Sequence, residues 1–279
     1  MPERDGFPAG VPAWIDTNQA DPAAAAEFYA GLFGWRFENR LPSESAAYLV
    51  ATLDERLVAA VGTADRSAPP PAWNTYIGVE DADATAGKVR DAGGSVLAEP
   101  MDVGDVGRAA TCADPSGARF RIWQPGTLRG AQAVNAPGTW NFSLLNTRDV
   151  DGAKRFYGDV FGWEADEVDM GAIAGIMIRL PGYADFLEQF DPGIRQRHAD
   201  FGAPPGFSEC IGWMVPLEAG EDPHWGVTFS VADADAVTGA ARSLGGSVLV
   251  EPFDLPMVRS ADLSDPWGAR FTVSAFNPG

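Results

Sequence analysis

The feature that most constrains this chain is that it repeats itself. The run from Asp21 through Phe28-Tyr29 to Phe33-Gly34-Trp35 returns as Asp149 through Phe156-Tyr157 to Phe161-Gly162-Trp163, 128 residues later (156 − 28). Gly93-Gly94-Ser95-Val96-Leu97 with Glu99-Pro100 returns as Gly245-Gly246-Ser247-Val248-Leu249 with Glu251-Pro252, 152 residues later (245 − 93). Asp114-Pro115 with Gly117-Ala118-Arg119-Phe120 returns as Asp265-Pro266 with Gly268-Ala269-Arg270-Phe271. Internal repeats of this kind mean tandem structural units. The second half holds 24 extra residues (152 − 128) between its two blocks.

A shorter repeat lies inside each half. Asp21–Gly34, Asp81–Gly94, Asp149–Gly162 and Asp233–Gly246 have the same spacing. Each reads as one short helix. The Asp caps the first turn by accepting backbone N–H bonds, and Pro22 suits a first position that needs no N–H. The closing Gly permits the left-handed turn that stops a helix. Ala25, Phe28 and Leu32 fall on one face, as do Ala153, Phe156 and Val160. Strands precede the helices at Ala13–Gln19, Trp73–Val79, Phe142–Thr147 and Trp225–Val231, and short β-rich runs follow them. The unit is a strand, a helix, then about three strands, taken four times. The expected fold is therefore α+β: two tandem modules of paired βαβββ units, with curved mixed sheets forming cups and helices on the outer face. Expected boundaries are residues 1–124, a Pro- and Gly-containing linker at 125–139, and residues 140–279 with an insertion within 170–216.

Charge narrows the partners. A formal net charge of −19 repels nucleic-acid phosphates and anionic lipid, so neither nucleic acid nor membrane is expected as partner, and the free concave faces leave room for a small-molecule ligand. No basic segment leads into an apolar run at the N-terminus, and no apolar stretch is long enough to span a bilayer. A cytoplasmic location is the expectation. The 2 cysteines, Cys112 and Cys210, form no CxxC. A monomer is expected, a homodimer being the alternative, because tandem duplication supplies within one chain the pairing that single modules obtain by dimerising.

The βαβββ units, the Phe-Tyr-x-x-x-Phe-Gly-Trp helix ending and the Asp-Pro-x-Gly-x-x-Phe hairpin resemble the glyoxalase / bleomycin resistance / dioxygenase superfamily, also called vicinal oxygen chelate, over residues 12–276. Trp14-x-Asp16 and the insertion resemble its actinobacterial two-module group, often labelled hydroxylase or antigen. The resemblance implies metal-ligand positions seven residues before each of a module's two helix-capping Asp residues, and seven after the Asp of the Asp-Pro turn. In this chain those positions hold Trp14, Asn74 and Arg121, then Phe142, Gly226 and Thr272. None is a usual ligand of a first-row metal, and Arg121 sets a fixed cation where the carboxylate belongs. No metal and no cofactor are expected.

Residues two apart on a strand share a face. Trp14, Asp16, Asn18, Asn74, Tyr76, Arg119, Arg121 and Trp123 are expected to line the first cup. There Asp16 is either a general base with Arg121 as anion stabiliser, or the two form a structural ion pair. Phe142, Asn146, His224, Thr228 and Thr272 are expected in the second cup. His224 lies two residues before Gly226, on the same face, and is either an acid/base group or a structural histidine. From the insertion, Tyr183, Phe207 and Trp213 are candidate ligand contacts, since long inserted segments are commonly lids or packed loops. The expected function is binding or metal-independent transformation of an aromatic or polyketide-like molecule, in secondary metabolism or self-resistance as the resemblance implies. The alternatives are a sequestering protein without catalysis, a metal-dependent lyase or dioxygenase, and a protein with vestigial cups.

Overall fold

The computed structural model describes residues 6–41, 46–65, 70–169, 174–217 and 220–277. The extreme N-terminus, part of the segment read for a leader, and the start of the insertion at 170–173 lie outside the described residues. Each half forms one eight-stranded mixed sheet. The first contains β1 (Pro12–Gln19), β2 (Arg36–Asn39), β3 (Tyr48–Leu53), β4 (Arg56–Thr63), β5 (Trp73–Gly78), β6 (Ser95–Val103), β7 (Gly107–Ala113) and β8 (Arg119–Pro125). The second contains β9 (Thr139–Thr147), β10 (Glu164–Asp169), β11 (Ala174–Arg179), β12 (Cys210–Pro216), β13 (His224–Val231), β14 (Ser247–Leu255), β15 (Val258–Ser264) and β16 (Arg270–Phe276). The spatial orders are β2-β3-β4-β1-β5-β8-β7-β6 and β10-β11-β12-β9-β13-β16-β15-β14. In each sheet two βαβββ units meet at a central antiparallel pair, β1 with β5 and β9 with β13. Parallel pairs flank it.

The helices follow from their caps. α1 (Pro22–Phe33), α2 (Ala82–Asp91), α3 (Val150–Phe161) and α6 (Ala234–Ser243) begin after Asp21, Asp81, Asp149 and Asp233, whose carboxylates accept from backbone N–H groups at 2.8–3.0 Å. Gly34 and Gly162 end α1 and α3 at φ 75° and 74°. For α2 and α6 the left-handed residue is Gly93 (φ 86°) and Gly245 (φ 89°), one before the glycines that the spacing singles out. The second glycine of each pair serves packing. A Cβ on Gly94 would stand 2.7 Å from Phe156 Cε2, and one on Gly246 3.1 Å from Phe28 Cε2. Both phenylalanines come from the other half of the chain.

The same exchange recurs one residue on. The Tyr29 hydroxyl, fully buried, donates to Asp265 Oδ2 at 3.0 Å, and Tyr157 donates to Asp114 Oδ2 at 3.2 Å. Trp73 and Trp225 donate their indole N–H to these phenol oxygens at 3.1 and 2.9 Å. Asp265 and Asp114 also accept backbone N–H groups of their own Asp-Pro turns. The repeated motifs thus bind the two halves reciprocally. Two cores result: α1 and α6 share one, α2 and α3 the other. Between them the backs of the sheets touch, with Thr75 Oγ1 2.7 Å from Ser143 Oγ. The concave faces therefore look away from each other. The connection between modules packs down, with Ala131, Ala133 and Val134 buried and backbone bonds to Ala13 and Leu57.

Both cysteines are free and buried, and burial pushes each thiol up to about 12. Between β11 and β12 lie α4 (Tyr183–Phe190), α5 (Ile194–Asp200) and a 3-10 turn at Phe207–Glu209. No helix among the described residues is long and apolar enough to cross a membrane.

Burial, and then the neighbouring Asp265 or Asp114, hold the Tyr29 and Tyr157 phenols well above their usual range. A folded pKa above the unfolded one contributes stability below about pH 10, and that contribution is lost as pH rises beyond it. Tyr29→Phe and Tyr157→Phe should each cost about 1–3 kcal/mol in urea unfolding at neutral pH. The double variant should lose less further stability than the parent between neutral pH and pH of about 11. Neutral-pH losses under about 0.5 kcal/mol would contradict the clamp.

Candidate functional site

The two cups use equivalent positions differently. In β1 every residue but Asn18 is buried. In β9 the back-facing Ser143, Leu145 and Thr147 are buried, whereas Phe142, Leu144 and Asn146 are partly open. The registers make the pairs comparable: Trp14 lies opposite Tyr76 and Asp16 opposite Asn74, as Phe142 lies opposite Thr228 and Leu144 opposite Gly226. Arg121 sits beside Tyr76 as Thr272 sits beside Thr228. Where the first module has Tyr, Asn and Arg, the second has Thr, Gly and Thr.

The larger side chains close the first cup. Asp16 is 0% exposed. Its carboxylate accepts from Asn74 Nδ2 at 2.8 Å, from the Tyr76 and Tyr48 hydroxyls at 2.5 and 3.1 Å, and from Arg121 at 3.2 Å. The Arg121 guanidinium also donates to the Tyr76 hydroxyl and lies 5.1 Å from that ring's centre. Trp14, buried, donates its indole N–H to Tyr48 at 3.0 Å. Burial, and then the Asp16 charge, raise the phenols of Tyr48 and Tyr76 above their usual range. For Arg121, desolvation pulls downward, but Asp16 and the Tyr76 hydrogen bond prevail and its pKa rises. In place of the expected open cup, Asp16 and Arg121 lie in an ionic network that occupies the carboxylate on both oxygens and leaves the buried Arg121 Nε–H without a partner among the described residues. A carboxylate with four donors on it holds no free lone pair aimed at a ligand. Trp123 faces Tyr76 edge-on and donates to Leu128 O at 2.9 Å. Asn18 is half-buried beside Gly62, and Arg119 is exposed. Tyr48 escaped the sequence reading because β3 reaches β1 only through β4, a register that no local spacing reveals.

The second cup opens into a wide, half-open cavity of about 2360 Å³ that also reaches Pro70–Trp73 of the first module and Asn135 of the connection. That is larger than the roughly 300–1,000 Å³ of ordinary small-molecule pockets. Phe142, Asn146, His224, Thr228, Thr272, Phe207 and Trp213 all line it. One wall is aromatic: Phe207 from the insertion lies 6.4 Å from both Phe142 and Trp213, centroid to centroid. The facing strands carry hydroxyls, among them Thr228, Thr272 and Ser274. Thr272 Oγ1 donates to Asp262 Oδ1 at 2.7 Å. Asp262 lies directly opposite it on β15, while Asp254 is exposed and pairs with Arg259. His224 sits exposed at the mouth with Nδ1 2.8 Å from Asp222 O. Asn146 donates to Leu144 O at 3.3 Å. Tyr183 does not reach the cavity. It is buried in the second core and stacks on Phe186, because α4 turns its apolar face inward. The insertion brings a residue not singled out for the site, His198, to the cavity wall.

Comparison with known proteins places the fold. The sequence model of the Glyoxalase/Bleomycin resistance protein/Dioxygenase superfamily matches residues 12–122 and 140–273, and the chain belongs to that superfamily. It is 37% identical over 278 residues to CFP32 of Mycobacterium tuberculosis, covering 98% of this chain and 97% of that protein. It is 34% identical over 287 residues to the anthracycline biosynthesis protein DnrV of Streptomyces peucetius, covering 98% and 96%. Among solved structures, the trihydroxybiphenyl dioxygenase of Sphingomonas wittichii superposes with a TM-score of 0.61 at 13% identity, covering 98% of this chain and 93% of that one. The Mn(II)-bound glyoxalase of Novosphingobium aromaticivorans gives 0.60 at 15%, covering 96% and 82%. At such identities these structures speak for the fold.

The residues present do not fit the divalent metal of that fold. The ligand positions implied by the resemblance hold an indole, an amide and a guanidinium in one cup, and a phenyl, a glycine and a threonine in the other. Arg121 already occupies the coordination space of Asp16. Among the described residues no three His, Cys, Asp or Glu side chains gather as a ligand set.

Asp16→Ala should lower stability by at least ~3 kcal/mol, because it strands the Arg121 cation among buried phenols. Thermal and urea unfolding measure this directly. A loss below about 1 kcal/mol would show that the network is loosely held.

Proposed function

We propose that the second cup binds a flat, hydroxylated aromatic or polyketide-like molecule of secondary metabolism or self-resistance, without a metal at the superfamily's ligand positions. The observation that carries this reading is the exchange of Tyr76, Asn74 and Arg121 for Thr228, Gly226 and Thr272, which opens one cup and leaves the other filled. The lining suits such a ligand. Phe142, Phe207 and Trp213 offer ring faces for stacking. Thr272 spends its own proton on Asp262, which leaves its oxygen to act as an acceptor for a ligand hydroxyl. The kinship with DnrV, and with DauV of Streptomyces sp. at 35% identity, supports the ligand class. Binding precedes either outcome, turnover or sequestration. Turnover would draw on acid–base groups of this cup, such as His224, rather than on the closed Asp16–Arg121 pair.

Alizarin, a flat hydroxylated anthraquinone dye, is a suitable probe, added with EDTA so that no adventitious metal bridges it to the protein. Absorbance titration should give one dye per chain. Thr228→Trp, which refills the cup, should weaken binding at least about tenfold while near-UV circular dichroism and thermal midpoint hold, tenfold being about 1.4 kcal/mol. Equal affinity in the variant, or two dyes per chain, would refute the assignment.

A further inference from the structure

We propose that His198, carried to the second cup by α5, accepts the proton of a phenolic or enolic hydroxyl of the bound ligand. The inference rests on the reading of the second cup as the ligand site. The chain has 2 histidines, and both line this one cavity. They are held differently. His224 is exposed at the mouth, tied to the backbone of Asp222. His198 is half-buried within the insertion. Its Nδ1 lies 2.9 Å from Ser208 Oγ, and its ring meets Phe207 edge-on, with centroids 5.0 Å apart at 73°. Phe207 is the residue that joins Phe142 and Trp213 into the aromatic wall. The imidazole is therefore at the border of the surface on which a flat ring would stack.

The hydrogen bond to Ser208 holds the ring, and the proposed chemistry uses the tautomer in which the imidazole is its donor. When Nδ1–H donates to the serine oxygen, the Nε2 lone pair is free, and among the described residues Nε2 has no protein partner. The ligand's O–H bond breaks and an Nε2–H bond forms. Neutral imidazole and neutral hydroxyl become imidazolium and phenolate or enolate, with no electrons exchanged. Burial, and then Arg197 on the same helix, hold the imidazole below its usual pKa, with Asp191 at the end of α4 opposing them. These surroundings favour the neutral imidazole over the imidazolium. Glu209, next to Ser208, is committed elsewhere: it accepts from Arg179 at 3.1 Å and from the Gly182 N–H at 2.9 Å. Arg179 also pairs with Glu164 and Asp166, fastening this end of the insertion to the sheet. At the other end Phe201 rests against Phe276, 5.9 Å between centroids. The 24 extra residues of the second module thus do more than wall the cup; they bring a base to it.

Alizarin also reports this step, because its absorbance moves to longer wavelength when the phenol ionises. The pH midpoint of the bound dye is read in the parent chain, in His198→Gln and in Ser208→Ala, with near-UV circular dichroism checking the fold. The parent should ionise the bound dye at a pH lower by about one unit or more than His198→Gln does, a tenfold change in the proton equilibrium. Ser208→Ala should fall between the two, since the base survives without its fixed orientation. Equal midpoints in the parent and His198→Gln, with the dye bound to both, would overturn the role of His198 and leave the cup assignment standing. Dye that fails to bind the parent would overturn both.

Discussion

The structure hangs on a reciprocal pair of buried hydrogen bonds, Tyr29 to Asp265 and Tyr157 to Asp114. Each phenol leaves a helix of one module and ends on the Asp-Pro turn of the other. A buried carboxylate needs its lone pairs satisfied, and the turn's own N–H groups satisfy one oxygen while the foreign tyrosine satisfies the other. Phe28 and Phe156, the preceding residues, fill notches that exist only because Gly246 and Gly94 have no side chain. Neither module can complete these contacts alone. The sheets are consequently fixed back to back, and their concave faces are free to diverge in chemistry.

The proposed function rests on that divergence. The same strand positions that lock the first cup with a carboxylate, two phenols, an amide and a guanidinium leave the second cup open. A buried ion pair stabilises little relative to well-packed apolar residues, but breaking one is costly. The network around Asp16 fills the first cup with its own hydrogen bonds. The second cup gains what the first lacks: small side chains on β13 and β16, an aromatic wall, and an insertion that carries a histidine to it.

Much of the fold was legible in the sequence because its determinants are local. The four capping Asp residues, the glycine stops and the offset between blocks fix helices, units and repeat. β6 and β14 were harder to place, being largely exposed and lacking clean alternation. Burial was the weak point of the site reading. Face parity put Asp16 and Arg121 together on the concave face, where they are, but parity says nothing of whether a face is open. That depends on Tyr48, which arrives from two strands away. Tyr183 was misjudged for a related reason: an aromatic residue in an inserted segment can turn to the core as readily as to a ligand. His198 was visible only as one titratable residue among several, since its place on the cup depends on how the insertion folds back.

The central claim is that one chain offers one working cup, in the second module. The most direct measurement is a crystal structure of the chain soaked with alizarin. The account predicts density for the dye between Phe207 and Trp213 on one side and Thr228 and Thr272 on the other, with the Asp16–Tyr48–Tyr76–Arg121 network unchanged. Dye seated in the first cup, with Tyr48 or Tyr76 displaced from Asp16, would contradict it.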